Sequence, residues 1–302
     1  VLGNTQLELS GVEHRRRRNL YGQHLVGKSL NNRIPAIRRL ATDMINDWSA
    51  QETKTSQGQA KHQIELGAAF ANEFPIRVVC EVLGFPKEAQ GDFYYWYNSM
   101  MSGLGGSATH AQGVEARAHL EEYVGELVAR RRTAPSYLYD EAGNPISKDI
   151  ITKLCETQVD GDFLSTEEIT SNIALVVGGG GETTRGAIMH MWYLLLTHPE
   201  QFAAVKSDEK LWDNVFHETL RHSTPIGGQP RHNTQAVNLH GVNIPAGSLI
   251  NMVDFSANHD ERVFENPENF DIFRKDLYSG KILRSGYAKE GRCNHMAFGV
   301  GP

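Results

Sequence analysis

The stretch Gly178-Gly179-Gly180-Gly181-Glu182-Thr183-Thr184 interrupts a sequence that is otherwise typical of a long α-helix. Upstream of it, Ser165 and Glu168 have the spacing of a capping box, which marks the start of a helix. Apolar residues then recur at helical spacing on both sides of the glycines until His198-Pro199 ends the pattern. We therefore predict one helix from Ser165 to Thr197, about 50 Å long at 1.5 Å per residue.

Four consecutive glycines destabilise such a helix. Each interior glycine costs about 1 kcal/mol relative to alanine, so the run costs about 4 kcal/mol in total. This penalty predicts that something bulky, such as a flat cofactor, approaches the backbone here, and a kinked core helix is the alternative. The run matches neither a P-loop, because no lysine follows at the required spacing, nor the dinucleotide-binding glycine pattern.

The composition is that of an acidic globular protein with a sizeable core. The chain has 302 residues, 40% of them hydrophobic, and a net charge of −6, which argues against a general nucleic-acid binder. No apolar run reaches the roughly 18 residues that a membrane-spanning helix needs. The three cysteines, Cys80, Cys155 and Cys293, are too few and too scattered to predict a disulfide framework or a zinc site. A reducing cytoplasm is the expected location.

Helical patterns dominate the first two-thirds of the chain. They cover Gly11–Gly22, Arg33–Ser49, Gly67–Leu83, Ala89–Met101, Ala111–Arg132 and Ile146–Cys155, and Leu211–His222 follows the glycine helix. Residues 237–247 alternate and turn like a hairpin, and residues 249–253 have the pattern of a short strand. From Ser256 onward we predict an irregular loop. We predict a single, mainly α domain over residues 1–302 with a small β-rich region.

Glu182 and Thr183 place a carboxylate beside a hydroxyl directly after the glycines. A helix that opens there would aim the hydroxyl and a trapped water at a bound ligand, while the carboxylate relays protons from solvent. Taken alone, Glu-Thr-Thr in a helix is more often ordinary helix surface.

Glu218 and Arg221 place opposite charges three residues apart on one helical face. An exposed pair of this kind contributes little to stability, but apolar neighbours predict burial here. Because a buried pair needs further partners, we expect Arg274 to join it.

His14 and Arg18 lie one helical turn apart within His14-Arg15-Arg16-Arg17-Arg18 and could bind carboxylates together. The three arginines between them would then form a basic surface. A solvated basic face without any ligand is the alternative.

Seven short motifs, taken in chain order, resemble the cytochrome P450 family of heme-thiolate monooxygenases. They are Asp160-Gly161-Asp162, Gly179-Gly180-Gly181-Glu182-Thr183-Thr184, Glu218-x-x-Arg221, Pro230-Arg231, Ser256-Ala257-Asn258-His259-Asp260, Phe264-x-x-Pro267-x-x-Phe270-Asp271 and His295-Met296-Ala297-Phe298-Gly299-Val300-Gly301. Each motif is weak alone, but their common order and spacing make a strong signal. The resemblance extends from the His14–Arg18 helix to the last residue and implies a cytochrome P450 fold.

The resemblance also implies roles for individual residues. Glu182 and Thr183 would be the catalytic acid–alcohol pair that delivers protons during dioxygen activation. Gly179 and Gly180 would lie over the face of heme b, His14, Arg18 and Arg231 would hold its propionates, and His295 and Phe298 would also contact the cofactor. The implied structural network is Glu218, Arg221 and Arg274, and the implied substrate-pocket residues are Val177, Ile226 and Gly227.

In this family the motif Phe-Gly-x-Gly-x-His-x-Cys carries the cysteine that binds the heme iron. Here the motif begins at Phe298 and the sequence ends at Pro302, three residues short of that cysteine, and Cys293 precedes the phenylalanine. The resemblance therefore implies an internal fragment that lacks the metal ligand. One departure is Asn269, which stands where many relatives carry arginine.

The resemblance implies that electrons come from NAD(P)H through a ferredoxin and a ferredoxin reductase, with residues 15–17 as a landing surface for an acidic ferredoxin. It implies an apolar organic substrate, capped by aromatic residues of the region Tyr94–Gly106. Two alternatives stay open, a peroxide-driven enzyme on the same fold and a non-catalytic helical ligand-binding domain. Neither nucleic acid nor a membrane anchor is expected.

Overall fold

Helices dominate the described residues of the computed structural model, which confirms the mainly α prediction. The structure describes the chain except residues 1–4, 23–30, 50–52, 55–59, 62–63, 140–142, 160, 279–292 and 300–302. The described α-helices are α1 Gly11–Gly22, α2 Ile34–Ser49, α3 Glu73–Leu83, α4 Gln90–Leu104, α5 Ser107–Thr133, α6 Ile150–Glu156, α7 Thr166–Thr197, α8 Pro199–Ser207, α9 Leu211–His222 and α10 Asp254–Asn258. None of these helices is both long and apolar enough to cross a membrane.

Short antiparallel pairs account for the described β-strands. They are β1 Thr53–Lys54 with β2 Ala60–Lys61, β3 Tyr137–Tyr139 with β4 Pro145–Lys148, β5 Gln158–Val159 with β6 Asp162–Phe163, β8 Val237–Leu239 with β9 Val242–Ile244, and β10 Leu249–Met252 with β7 Gln229–His232. The predicted hairpin is present, and its two-residue turn has positive φ at His240 (51°) and Gly241 (85°), as the tightest hairpin turns require.

Helix α7 begins as predicted. The backbone N–H of Glu168 donates to Ser165 Oγ at 3.1 Å, and the Glu168 carboxylate accepts from the Ser165 N–H at 3.0 Å, which together form a capping box. The helix is continuous from Thr166 to Thr197, as predicted, and it does not open at the glycines.

The structure corrects two predictions from the sequence pattern. Residues 146–148 belong to strand β4 rather than to a helix, and Asp149 explains why α6 starts after them. Its carboxylate accepts the N–H of Thr152 at 2.6 Å, so it is the N-cap of α6. The segment from Ser256, predicted to be irregular, begins inside the short helix α10.

The chain divides into two compact units, residues 1–182 and residues 183–302. In the first unit, α3 to α6 and the start of α7 share one apolar core. Helices α4 and α5 approach closely at Gly103, where a Cβ would lie 2.7 Å from the Cα of Gly113. Any larger residue at either position would push the two helices apart.

The second unit has a smaller core formed by the end of α7, α8, α9 and the segment around Phe270. The side chain of Gln201 makes two hydrogen bonds to the backbone of that segment. It donates to the carbonyl of Phe270 at 2.8 Å and accepts the N–H of Ile272 at 2.9 Å. This buried amide therefore replaces backbone pairing in a stretch that has no strand partner among the described residues.

Candidate functional site

Three glycines of the run in α7, Gly179, Gly180 and Gly181, have different surroundings. A Cβ at Gly179 would meet no heavy atom of the described residues within 4 Å. A Cβ at Gly180 would lie 2.6 Å from Cγ2 of Val79, and one at Gly181 would clash with the ring of Tyr97. Packing within the first unit therefore accounts for the glycines at 180 and 181, which corrects the expectation that a flat cofactor explains the whole run. Of these three glycines, Gly179 is the one at which an added Cβ would have space.

This difference predicts opposite effects for two matched substitutions. Gly179→Ala is expected to raise the free energy of unfolding of the chain by up to about 1 kcal/mol, because it removes a helix penalty and meets no neighbour. Gly181→Ala is expected to lower it by about 1–3 kcal/mol, because the methyl group overpacks against Tyr97. Urea unfolding of both variants measures the difference, and equal shifts would contradict this account.

The acid–alcohol pair lies on successive residues of a regular helix, with Glu182 in the first unit and Thr183 in the second. The Glu182 side chain is exposed and Thr183 is half-buried, whereas the next residue, Thr184, is exposed. Successive helical residues are about 100° apart around the axis, so the carboxylate and the hydroxyl point in different directions. The catalytic roles of both residues stay predictions.

The basic helix α1 is less basic at its surface than predicted. Glu13 accepts from Arg16 at 2.9 Å and from Arg17 at 3.2 Å, and both arginines are half-buried. The expectation that residues 15–17 form one positive landing surface is therefore corrected, since Arg15 alone of the three is exposed. His14 is half-buried and Arg18 is exposed, and their role toward propionates stays a prediction.

The predicted network around Glu218 forms in the second unit. Glu218 and Arg221 are 0% exposed, and two parallel hydrogen bonds join them, from Nε to Oε2 at 2.8 Å and from Nη2 to Oε1 at 2.9 Å. The Nε of Arg274 lies 3.0 Å from the same carboxylate, and its Nη1 donates to Asp276 at 2.9 Å. Two carboxylates therefore balance the two buried guanidinium groups.

The absence of an arginine at position 269 does not leave the network incomplete. The backbone carbonyl of Asn269 accepts from Arg221 Nη2 at 3.0 Å and from Arg274 Nη2 at 3.2 Å. Arg221 also donates to the carbonyls of Asn258 and Pro267, at 3.0 and 2.7 Å. Three backbone carbonyl groups therefore surround the guanidinium of Arg221. The pattern of side chains along the sequence does not predict such contacts.

Asn258 was missed as a site residue, although it stands in one of the quoted motifs. Its side chain is fully buried, and its Oδ1 accepts the N–H of Met296 at 2.6 Å. Its Nδ2 donates to the carbonyl of Leu220 at 3.4 Å. This amide therefore ties the segment that leads into Phe298 to helix α9.

Arg231 and Phe298 lie at the surface of the second unit. Arg231 is exposed on β7, where its guanidinium donates to the Pro230 carbonyl at 2.8 Å and to Gln229 Oε1 at 3.1 Å. Phe298 is 77% exposed, a large fraction for an aromatic side chain, and Gly299 follows it with φ of +65°. Val300, Gly301 and Pro302 of this motif, like Asp160 of the first motif, lie outside the described residues.

The residues predicted to line the substrate pocket differ in their solvent exposure and in the unit to which they belong. Val177 is 1% exposed and belongs to the core of the first unit, whereas Ile226 and Gly227 are exposed in the second unit. In the region 94–106, Tyr97 and Met100 are core residues. The assignment of these residues to a substrate pocket stays a prediction.

His295 faces another histidine. Its Nε2 lies 3.1 Å from Nδ1 of His217, and its Nδ1 accepts the N–H of Ala297 at 3.4 Å. Burial, together with the nearby charges of His217 and Arg221, lowers the pKa of His295 to about 4. Burial also lowers the pKa of His217. Both imidazoles are therefore neutral at pH 7.

A family model described as Cytochrome P450 matches residues 96–302. Cytochrome P450 107B1 of Saccharopolyspora erythraea is 30% identical over 275 residues, which cover 91% of this chain and 62% of that protein. The 6-deoxyerythronolide B hydroxylase of the same organism is 28% identical, over 86% of this chain and 59% of that protein. The chain thus spans about three fifths of the length of these relatives.

Solved structures agree with the sequence relatives. Ligand-free cytochrome P450 TbtJ1 is 27% identical with a TM-score of 0.80, over 99% of this chain and 70% of that chain. CYP109E1 from Bacillus megaterium in complex with testosterone is 25% identical with a TM-score of 0.81, over 99% of this chain and 72% of that chain. This chain belongs to the cytochrome P450 family.

Proposed function

We propose that the whole protein is a heme-dependent monooxygenase that inserts one oxygen atom from O2 into an apolar organic substrate. The observation that carries the proposal is helix α7, in which Gly179, where an added Cβ would meet no heavy atom in the described part of the chain within 4 Å, is followed about one turn later by Glu182 and Thr183. Relatives that are named as hydroxylases and monooxygenases support the same reaction class.

The chemistry of residues in each unit, taken by itself, suits a heme group. His14 and Arg18 in the first unit, and Arg231 in the second, have side chains that can hold carboxylates through charge-assisted hydrogen bonds. In the second unit, the apolar side chains of Phe298 and Ile226 are 77% and 43% exposed, so each can pack against an apolar cofactor. When bound through a cysteine thiolate, heme supplies the dioxygen chemistry.

The chain's own contribution to the reaction is proton handling. The Thr183 hydroxyl can donate one hydrogen bond and accept two, so it can hold a water molecule in a fixed position. Glu182 is exposed, so its carboxylate can exchange protons with solvent and pass them inward. The position where a Cβ at Gly179 would meet no heavy atom of any described residue within 4 Å lies about one turn before Thr183 on the same helix.

The proposed electron donors are a ferredoxin and its reductase, supplied with electrons by NAD(P)H. An apolar substrate is supported by the structural neighbour that holds testosterone and by the relative named for 6-deoxyerythronolide B. A peroxide-driven enzyme on the same fold is the second candidate, but such an enzyme has no need of the acid–alcohol pair that Glu182 and Thr183 provide.

Spectroscopy and turnover of the whole protein test the proposal. The reduced carbon monoxide complex is expected to show the red-shifted Soret band of a thiolate-bound heme, and turnover is expected to depend on NADH, ferredoxin and reductase. Absence of this Soret band would favour the alternative of a non-catalytic ligand-binding domain. Turnover with peroxide alone would favour the peroxide-driven enzyme.

Arg15 is the exposed one among residues 15–17 and is proposed to steer an acidic ferredoxin. In the whole protein, Arg15→Glu is expected to slow reduction by ferredoxin several-fold at low salt, since surface charges at an interface act mainly on association rates. Substrate affinity should stay constant. Lys275→Glu reverses another exposed charge and is the matched control. If the unchanged protein, Arg15→Glu and Lys275→Glu are reduced at equal rates, Arg15 is not part of the docking surface.

A further inference from the structure

Three side chains that commonly bind metals converge in the second unit. They are His217 on α9 and the pair Cys293 and His295, and their ligand atoms all lie within 4.8 Å of one another. Among the described residues, no other group of three or more histidine, cysteine, aspartate or glutamate side chains has its ligand atoms this close together. The cysteine spacing along the sequence argued against a zinc site, and the two histidines change that conclusion.

The geometry is close to that of a tetrahedral metal centre. Two nitrogen ligands at about 2.0–2.1 Å from Zn²⁺ are about 3.3–3.4 Å apart, and Nδ1 of His217 and Nε2 of His295 are 3.1 Å apart. A thiolate at about 2.3 Å from the metal would lie about 3.5 Å from each nitrogen, and the Sγ of Cys293 lies within 4.8 Å of both, so its distance to each nitrogen has to shorten by at most about 1.3 Å. All three side chains are half-buried, which leaves a fourth position open to water.

The backbone around His295 is held in place without a metal. The N–H groups on both sides of it are engaged, that of Asn294 with the Leu277 carbonyl at 2.8 Å and that of Met296 with Asn258 Oδ1 at 2.6 Å. Such support reduces the loss of conformational freedom when a metal binds. His217 adjoins the buried Glu218, which fixes its place on the helix.

We propose that His217, Cys293 and His295 form a binding site for a zinc-class divalent cation. The two imidazoles bind through the facing nitrogens, and the thiol of Cys293 binds as a thiolate and releases its proton to solvent. His295 must carry its proton on Nδ1 in that state, so its 3.4 Å hydrogen bond from Ala297 is lost. The metal would link segment 293–299 to helix α9. The proposal does not depend on the monooxygenase activity.

Cobalt titration of the purified 302-residue chain, freed of metal with a chelator, tests the proposal. One equivalent of Co²⁺ is expected to produce a thiolate-to-cobalt charge-transfer band, and Zn²⁺ is expected to remove it by displacement. Cys293→Ser should abolish the band, and His217→Gln or His295→Gln should weaken binding by more than about tenfold. Cys155→Ser and His222→Gln are the matched controls and should bind as the unchanged chain does.

The result that overturns the proposal is a chain that gives no charge-transfer band, or a band that persists in Cys293→Ser or disappears in Cys155→Ser. X-ray absorption of the bound cobalt provides a second measurement that does not depend on variant folding. It is expected to show a mixed shell with one sulfur, and an all-oxygen shell would equally overturn the proposal.

Discussion

Replacing Arg221 with methionine is expected to lower the free energy of unfolding of the chain by about 3–5 kcal/mol. The side chain is 0% exposed, and its loss leaves the carbonyls of Asn258 and Pro267 without this donor. The Asn269 carbonyl and the Glu218 carboxylate would then keep Arg274 as their remaining arginine partner. Urea unfolding, followed by circular dichroism, measures the change. Methionine has a similar length and no charge, so the loss reflects electrostatics more than volume.

Two further variants separate charge from packing at this network. Adding Glu218→Leu to Arg221→Met is expected to restore part of the stability, because it removes the carboxylate that the first change leaves poorly paired. Arg262→Met is the surface control, since its ion pair with Asp260 is exposed and exposed pairs contribute little. An Arg221→Met chain as stable as Arg262→Met would contradict the account of a buried network.

The network around Glu218 also shows which contacts can be predicted from a sequence pattern. The pairing of Glu218 with Arg221 follows from helical spacing, and Arg274 was found because a buried pair needs another partner. The use of the Asn269 carbonyl could not be predicted, because every residue has a carbonyl and its direction depends on the tertiary fold. The missing arginine at 269 is therefore compensated by atoms that carry no sequence signal.

The glycine run illustrates a different limit. Its position in one long helix was predictable from the capping box and the apolar periodicity, and α7 confirms both. The reason for each glycine was not predictable, because Val79 and Tyr97 approach Gly180 and Gly181 from helices about a hundred residues earlier in the chain. A local run of glycines indicates that small residues are required there, but it does not show which neighbouring side chains occupy the space.

Long sequence separation likewise hid the cluster of His217, Cys293 and His295. The two histidines are 78 residues apart, and no spacing rule for metal ligands covers such a distance. By contrast, strand β4 was missed for a local reason. A four-residue strand followed at once by a capped helix looks like one helical segment when only apolar spacing is read.

Thr183→Ala in the whole protein is expected to divert electrons from substrate oxidation to peroxide, so that product formed per NADH falls by about tenfold or more. The substitution removes the hydroxyl that we propose to hold a proton-donating water, while the methyl group preserves the helix. Substrate affinity should change little, because the hydroxyl acts on proton delivery and not on binding. Product, peroxide and NADH consumption are measured in the same reaction.

Thr184→Ala is the matched control for this prediction, since it removes the same group from the next, exposed position of α7. It is expected to retain the product yield per NADH. If both variants lose yield equally, the effect comes from the helix and not from the Thr183 hydroxyl. If Thr183→Ala retains full yield, the half-buried hydroxyl does not deliver protons, and Glu182 alone, exposed as it is, would have to reach solvent and ligand together. A further Glu182→Gln variant then decides whether the carboxylate carries the proton.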